Sequence, residues 1–187
     1  ELDYRVDAID QVIRNAIEVM DSSKYQIYEI GAGARTESDA LMRELEQIKQ
    51  EIHQTIDKVD QLENDFRQAR VRLSEVSRDF KRFTERDIRR AYEVATKIQL
   101  EITVFREKEA NLRSRRDELQ KRIRNVERTI ERAETVISQI NVVREYLSGD
   151  LNQVTRILES ARNRQLLGLK IIHAQEEERR RIAREIH

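Results

Sequence analysis

The chain ends on Gln175-Glu176-Glu177-Glu178-Arg179-Arg180-Arg181-Ile182-Ala183-Arg184-Glu185-Ile186-His187, the one stretch whose residue types and spacing suggest chemistry. It contains no glycine or proline, and it is built from good helix formers. Glu176 stands four residues before Arg180, and Glu177 four before Arg181, the favourable order for pairing on a helix. Ile182 and Ile186, also four apart, share one face. The next residue, His187, is rotated by roughly 100° from Ile186 and so points away from whatever those isoleucines cover. An accessible imidazole that is partly neutral near pH 7 is a competent nucleophile toward a phosphoryl group.

Within that stretch, Glu178-Arg179-Arg180-Arg181-Ile182-Ala183-Arg184-Glu185-Ile186-His187 resembles the H-box of the HisKA_3 class of sensor histidine kinases, E-R-x-R-[IV]-[AS]-R-E-[LI]-H. The likeness extends upstream to Arg72-Leu73-Ser74-Glu75-Val76-Ser77-Arg78, to Phe80, Arg82-Phe83, Ile88-Arg89 and Ala91-Tyr92-Glu93, and to Ala174-Gln175-Glu176-Glu177-Glu178-Arg179. It is looser at Glu46-Gln47-Ile48-Lys49-Gln50. These segments are similar to the sensor region of DegS-type cytoplasmic kinases. The resemblance implies that His187 is the phospho-acceptor and that phosphate passes on to an aspartate of a DegU-like response-regulator receiver domain. It also implies a homodimer, and ATP with Mg²⁺ bound by a separate domain that follows the histidine in the family. Arg180, Arg181, Arg184 and Glu185 are then candidate contacts for phosphate or the regulator. Read from the residues alone, Arg180, Arg181 and Arg184 fit better as a solvated helix face paired with Glu176, Glu177 and Glu185.

The elements that must position this histidine are helical. The 187 residues include four glycines and no proline, cysteine or tryptophan, with 39% charged and 5% aromatic residues. That is the profile of long or coiled helices with a narrow apolar seam. The 36 basic and 36 acidic residues are interleaved and balanced, so there is no basic excess to neutralise nucleic acid. No apolar run approaches the ~20 residues that cross a bilayer. The expectation is a soluble intracellular protein without disulfides or a metal site, and the resemblance implies that its compartment is the cytoplasm.

Apolar residues at Val6, Ile9, Ile13, Ala16, Met20, Ile27 and Ile30 form one helical stripe. Gly31-Ala32-Gly33 then suggests a hinge, the alternative being a helix that passes straight through with Ala34 in phase, and Thr36 with Glu37 and Asp39 predicts the cap of a second helix. Its stripe runs Leu41, Leu45, Ile48, Ile52, Ile56, Val59, Leu62, Phe66, Ala69, Leu73, Val76, Phe80 and Phe83, with an irregularity near Ile56. The phase slips before Ile88, and Thr84, Glu85 and Asp87 resemble another cap, so the chain bends or reverses there. With Ile88 at position a, a single heptad register then continues to Ile186. Its a and d positions are apolar except at Glu109, Arg116, Arg144, Gln165, Gly168, Gln175 and Arg179. An unbroken helix of that length is a rod of about 150 Å. The organisation expected is a helical sensor region at 1–83, a coiled-coil helix at 84–147, and a signalling helix at 148–187 leading into the phospho-acceptor.

In a parallel dimer Glu109 and Arg116 would each face its own copy, which is unfavourable. A fold-back near Thr84 instead brings Glu109 toward Lys58 and Arg116 toward Glu51. The fold class expected is all-α: long helices in a dimeric coiled coil or extended helical bundle. Two functions fit, a sensor and transmitter part of a histidine kinase, or a non-catalytic coiled-coil scaffold or tether. No glycine-rich phosphate loop occurs, so the segment alone is not expected to bind ATP or phosphorylate itself.

Overall fold

A chain without proline, and with charge pairs along its exposed faces, has little to stop a helix once it begins. The computed structural model describes residues 2–186 and contains two α-helices, α1 at Leu2–Arg78 and α2 at Glu85–Ile186. No strand occurs among the described residues. The all-α expectation is met.

Helix α1 passes straight through Gly31-Ala32-Gly33, and the cap expected at Thr36 does not form. None of the described glycines has a positive φ. The reason lies in the face these residues occupy. Gly31, Ala34 and Ser38 are buried at helical spacing, and a Cβ on Gly31 would lie 3.5 Å from the Cβ of Ala133. The small residues allow close helix packing, and the apolar stripe on either side stays in phase, which offsets the ~1 kcal/mol that glycine costs inside a helix.

The chain does reverse where the phase slips. Helix α1 ends at Arg78, and the backbone N–H groups of Arg82 and Phe83 both donate to the carbonyl of Asp79, at 3.3 and 3.1 Å. Thr84 then caps α2 reciprocally. Its hydroxyl accepts from the Asp87 N–H at 3.3 Å, while the Asp87 carboxylate accepts from the Thr84 N–H at 2.9 Å and from its hydroxyl at 3.0 Å. The backbone hydrogen bond from Thr84 is the largest of the effects that hold the Asp87 carboxyl below its ordinary pKa, with the Thr84 hydroxyl next. A carboxylate depressed on folding contributes stability above its unfolded pKa and loses it as pH falls through the lower folded value. Acidification through that window should therefore fray the start of α2. Thr84→Ala should cost about 0.5–2 kcal/mol at neutral pH, and Asp87→Asn should remove the acid-range loss; a wild-type acid titration followed by circular dichroism that Asp87→Asn leaves unchanged would contradict this.

The chain forms two compact units. One is Gly33–Ile130; the other joins the chain up to Ala32 with the chain from Glu131 onward. In the first unit the end of α1 and the start of α2 lie antiparallel. Their core centres on Ile48, Ile52 and Leu119, with Leu41, Leu45, Ile56 and Leu112 packed around it. Val76 and Leu119 are each only 1% exposed. The irregularity near Ile56 is resolved by Thr55, which takes the buried position and donates its hydroxyl to the Glu51 carbonyl at 2.7 Å, so this buried hydroxyl is paired.

Ion pairs cross between the two helices of this unit: Arg122 to Glu37 at 2.7 Å, Arg115 to Glu44 at 2.9 Å, and Arg106 to Glu63. The hydrogen bond that Arg115 donates to Glu44 is the main reason the Arg115 pKa rises. The fold-back is thus present, but its expected partners differ. Glu109 bonds to Arg113 on its own helix at 2.8 Å, Arg116 meets Asp117 at 3.1 Å, and Lys58 lies 6.0 Å from the centre of the Phe105 ring. Long side chains at the edge of a seam find the nearest solvent-facing partner and need not reach across it.

In the second unit Arg144 meets Asp21 at 2.7 Å, and the hydrogen bond raises the Arg144 pKa. Here the N-terminal stripe departs from its expected composition. Ile9 and Ile30 are exposed, while Ile17 and Asp10 are half-buried. Every buried apolar residue of α2, from Ala91 to Leu158, occupies an a or d position of the heptad frame.

Candidate functional site

The last turns of α2 are made of strong helix formers and remain helical to Ile186. His187 lies outside the described residues. Its approach does not. From Leu169 onward every described residue is exposed. Ile182 and Ile186 share a face, as their spacing requires, and are 48% and 79% exposed, so none of the described residues covers that face.

Arg180, Arg181, Arg184 and Glu185 sit on these exposed turns. Among the described residues none of the four makes an ion pair, and the expected pairs of Glu176 with Arg180 and Glu177 with Arg181 are absent. Glu177 instead meets His173 one turn back, at 3.3 Å. Three guanidinium groups without partners within two turns leave donors available to an anion brought to the helix end.

All four glycines lie inside α1 or α2, and none has the positive φ that a phosphate-cradling turn uses. No described helix is long and apolar enough to cross a membrane.

Helix α2 thus joins a buried, heptad-indexed segment to an exposed end that leads into His187. Comparison with known proteins gives this arrangement its context. A family model for the sensor protein DegS matches residues 10–168. The chain belongs to the DegS sensor-protein family. It is 46% identical over 179 residues to the signal transduction histidine-protein kinase/phosphatase DegS of Bacillus subtilis (strain 168), and 42% identical over 179 residues to the protein of that name from Brevibacillus brevis. Each alignment takes in 96% of this chain and 46% of the relative, so the chain spans about half the length of the DegS relatives it matches. No solved structure matches it. The DegS family match ends at residue 168, before the segment that carries the H-box likeness.

Sequence reasoning did not single out the cross-helix pairs Arg122–Glu37 and Arg115–Glu44, or the packing of Arg72 over the Phe83 ring at 4.9 Å. Their only advance signal was the phase slip before Ile88, which fixes which residues face one another once the chain reverses.

Proposed function

We propose that this chain is the sensor and transmitter portion of a cytoplasmic two-component histidine kinase/phosphatase of the DegS type. The observation that carries the reading is its 46% identity across nearly the whole chain to a DegS kinase/phosphatase. In the proposed reaction a catalytic domain outside this chain binds ATP with Mg²⁺. A ring nitrogen of His187 takes the γ-phosphoryl group, ADP leaves, and an aspartate of a DegU-like response regulator then accepts the phosphoryl group from the imidazole.

Phosphoryl transfer depends mainly on positioning and charge stabilisation. A helix that runs without interruption from Glu85 to Ile186 suits that need, because a twist or slide set upstream would move the histidine relative to its donor. Arg180, Arg181, Arg184 and Glu185 would meet the transferring phosphate or the regulator. A homodimer is supported by the apolar residues Leu166, Leu167, Leu169 and Ile172, all more than half exposed on a stretch of α2 that no other helix among the described residues covers.

The test is phosphotransfer in the full-length protein. With labelled ATP, label is expected first on the kinase and then, after a receiver domain is added, on the receiver. A folded, dimeric protein that labels neither would favour the non-catalytic scaffold.

A further inference from the structure

The end of the hairpin in the unit Gly33–Ile130 carries an excess of basic residues. Between residues 67 and 93 there are nine arginines and lysines against five acids, whereas the whole chain is balanced at 36 of each. Lower in this unit, arginines meet acids on the facing helix. Near the turn Arg78, Lys81, Arg86 and Arg89 have no ion-pair partner among the described residues, and the Asp87 carboxylate is already engaged by Thr84.

Two guanidinium groups, those of Arg72 and Arg82, lie 4.9 and 5.6 Å from the centre of the Phe83 ring. A guanidinium held over a ring loses little rotamer freedom when a carboxylate binds it. The Arg72 contact to Glu75, at 3.9 Å, is too long for a hydrogen bond. Phe80 stands 81% exposed in the turn itself.

Just below the turn a cleft of about 290 Å³ opens between the helices. Ala69, Val76, Ala91 and Val94 give it an apolar lining, with Arg72 and Arg90 beside them and the capped Asp87 carboxylate also present. That volume is at the lower limit of small-molecule sites. It suits a single apolar side chain presented by a partner.

We propose that this hairpin end is a docking surface for an acidic amphipathic segment of another protein. Its carboxylates would meet the unpaired arginines, while its apolar residues pack on Phe80 and enter the cleft. Arginine supplies eight of the nine cations, and its planar fork matches a carboxylate with two parallel hydrogen bonds. A flat anionic bilayer would bring Asp79, Glu85 and Glu93 against its own charge and would not reach the cleft. A nucleic acid would gain no use of the apolar lining.

The experiment uses the whole chain and a fluorescent helical peptide of glutamates with leucines at every fourth position. Poly-glutamate, phosphatidylglycerol vesicles and a single-stranded oligonucleotide serve as comparison probes. The leucine-containing peptide should bind tightest. Arg78→Glu with Arg89→Glu should weaken it at least tenfold, and Phe80→Ser several-fold, with unchanged helicity by circular dichroism. Equal affinity for poly-glutamate, unchanged affinity in these variants, or tighter binding of vesicles or oligonucleotide would overturn the proposal.

Discussion

Leu119→Ala is expected to destabilise the hairpin by about 2–5 kcal/mol, the range for emptying a fully packed leucine site. Leu119 is 1% exposed and lies where Ile48 and Ile52 of α1 meet α2, so its loss leaves a cavity in the centre of the core. The effect is large relative to the fold because two packed helices have few layers over which to share it. Single helices in water are marginal even when their propensity is high, so the pairing of amphipathic faces supplies most of the stability. Urea unfolding followed at 222 nm should show a clear fall in midpoint for Leu119→Ala and a small one for Leu119→Met, which preserves volume. Leu100→Ala is the internal control, since Leu100 is 63% exposed on the same helix. Equal shifts at Leu119 and Leu100 would mean that the hairpin core is not where α2 derives its stability.

Much of the fold could be read from the residues, because helical period and cap chemistry are local. The heptad frame from Ile88 assigned the buried positions of α2 correctly, since a and d positions face the same way whichever helix covers them. Thr84, Glu85 and Asp87 marked the reversal, because a cap is made by neighbours in sequence. What failed depended on contacts distant in sequence. Gly31 and Gly33 suggest a hinge when considered alone, yet Gly31 is buried beside Ala133, a neighbour that sequence spacing does not reveal. The partners of Glu109 and Arg116 were misassigned for a related reason: once the helices are antiparallel, small offsets decide which long side chains meet.

The candidate site divides in the same way. The H-box likeness is a contiguous motif and was visible at once, whereas the exposure of Ile182 and Ile186 depends on what the rest of the chain leaves uncovered. The basic hairpin end is not evident from composition because whole-chain charge balance conceals local imbalances such as that at 67–93.

The second large effect concerns His187, on which the proposed function depends. Replacing an imidazole by an amide keeps size and polarity but removes the ring nitrogen that would carry phosphate, so His187→Gln should abolish labelling and not merely slow it. His53 and His173 are the other histidines of the chain. His173 is an exposed residue paired with Glu177, and His53 lies in the first unit beside Ile52, so neither stands in the proposed path of phosphate. The deciding measurement is therefore the acid-labile, base-stable phosphate formed from labelled ATP by the full-length protein and by each of the three His→Gln variants. The account predicts label in the wild type, His53→Gln and His173→Gln, and none in His187→Gln; label that persists in His187→Gln, or that vanishes with His173→Gln, would contradict it.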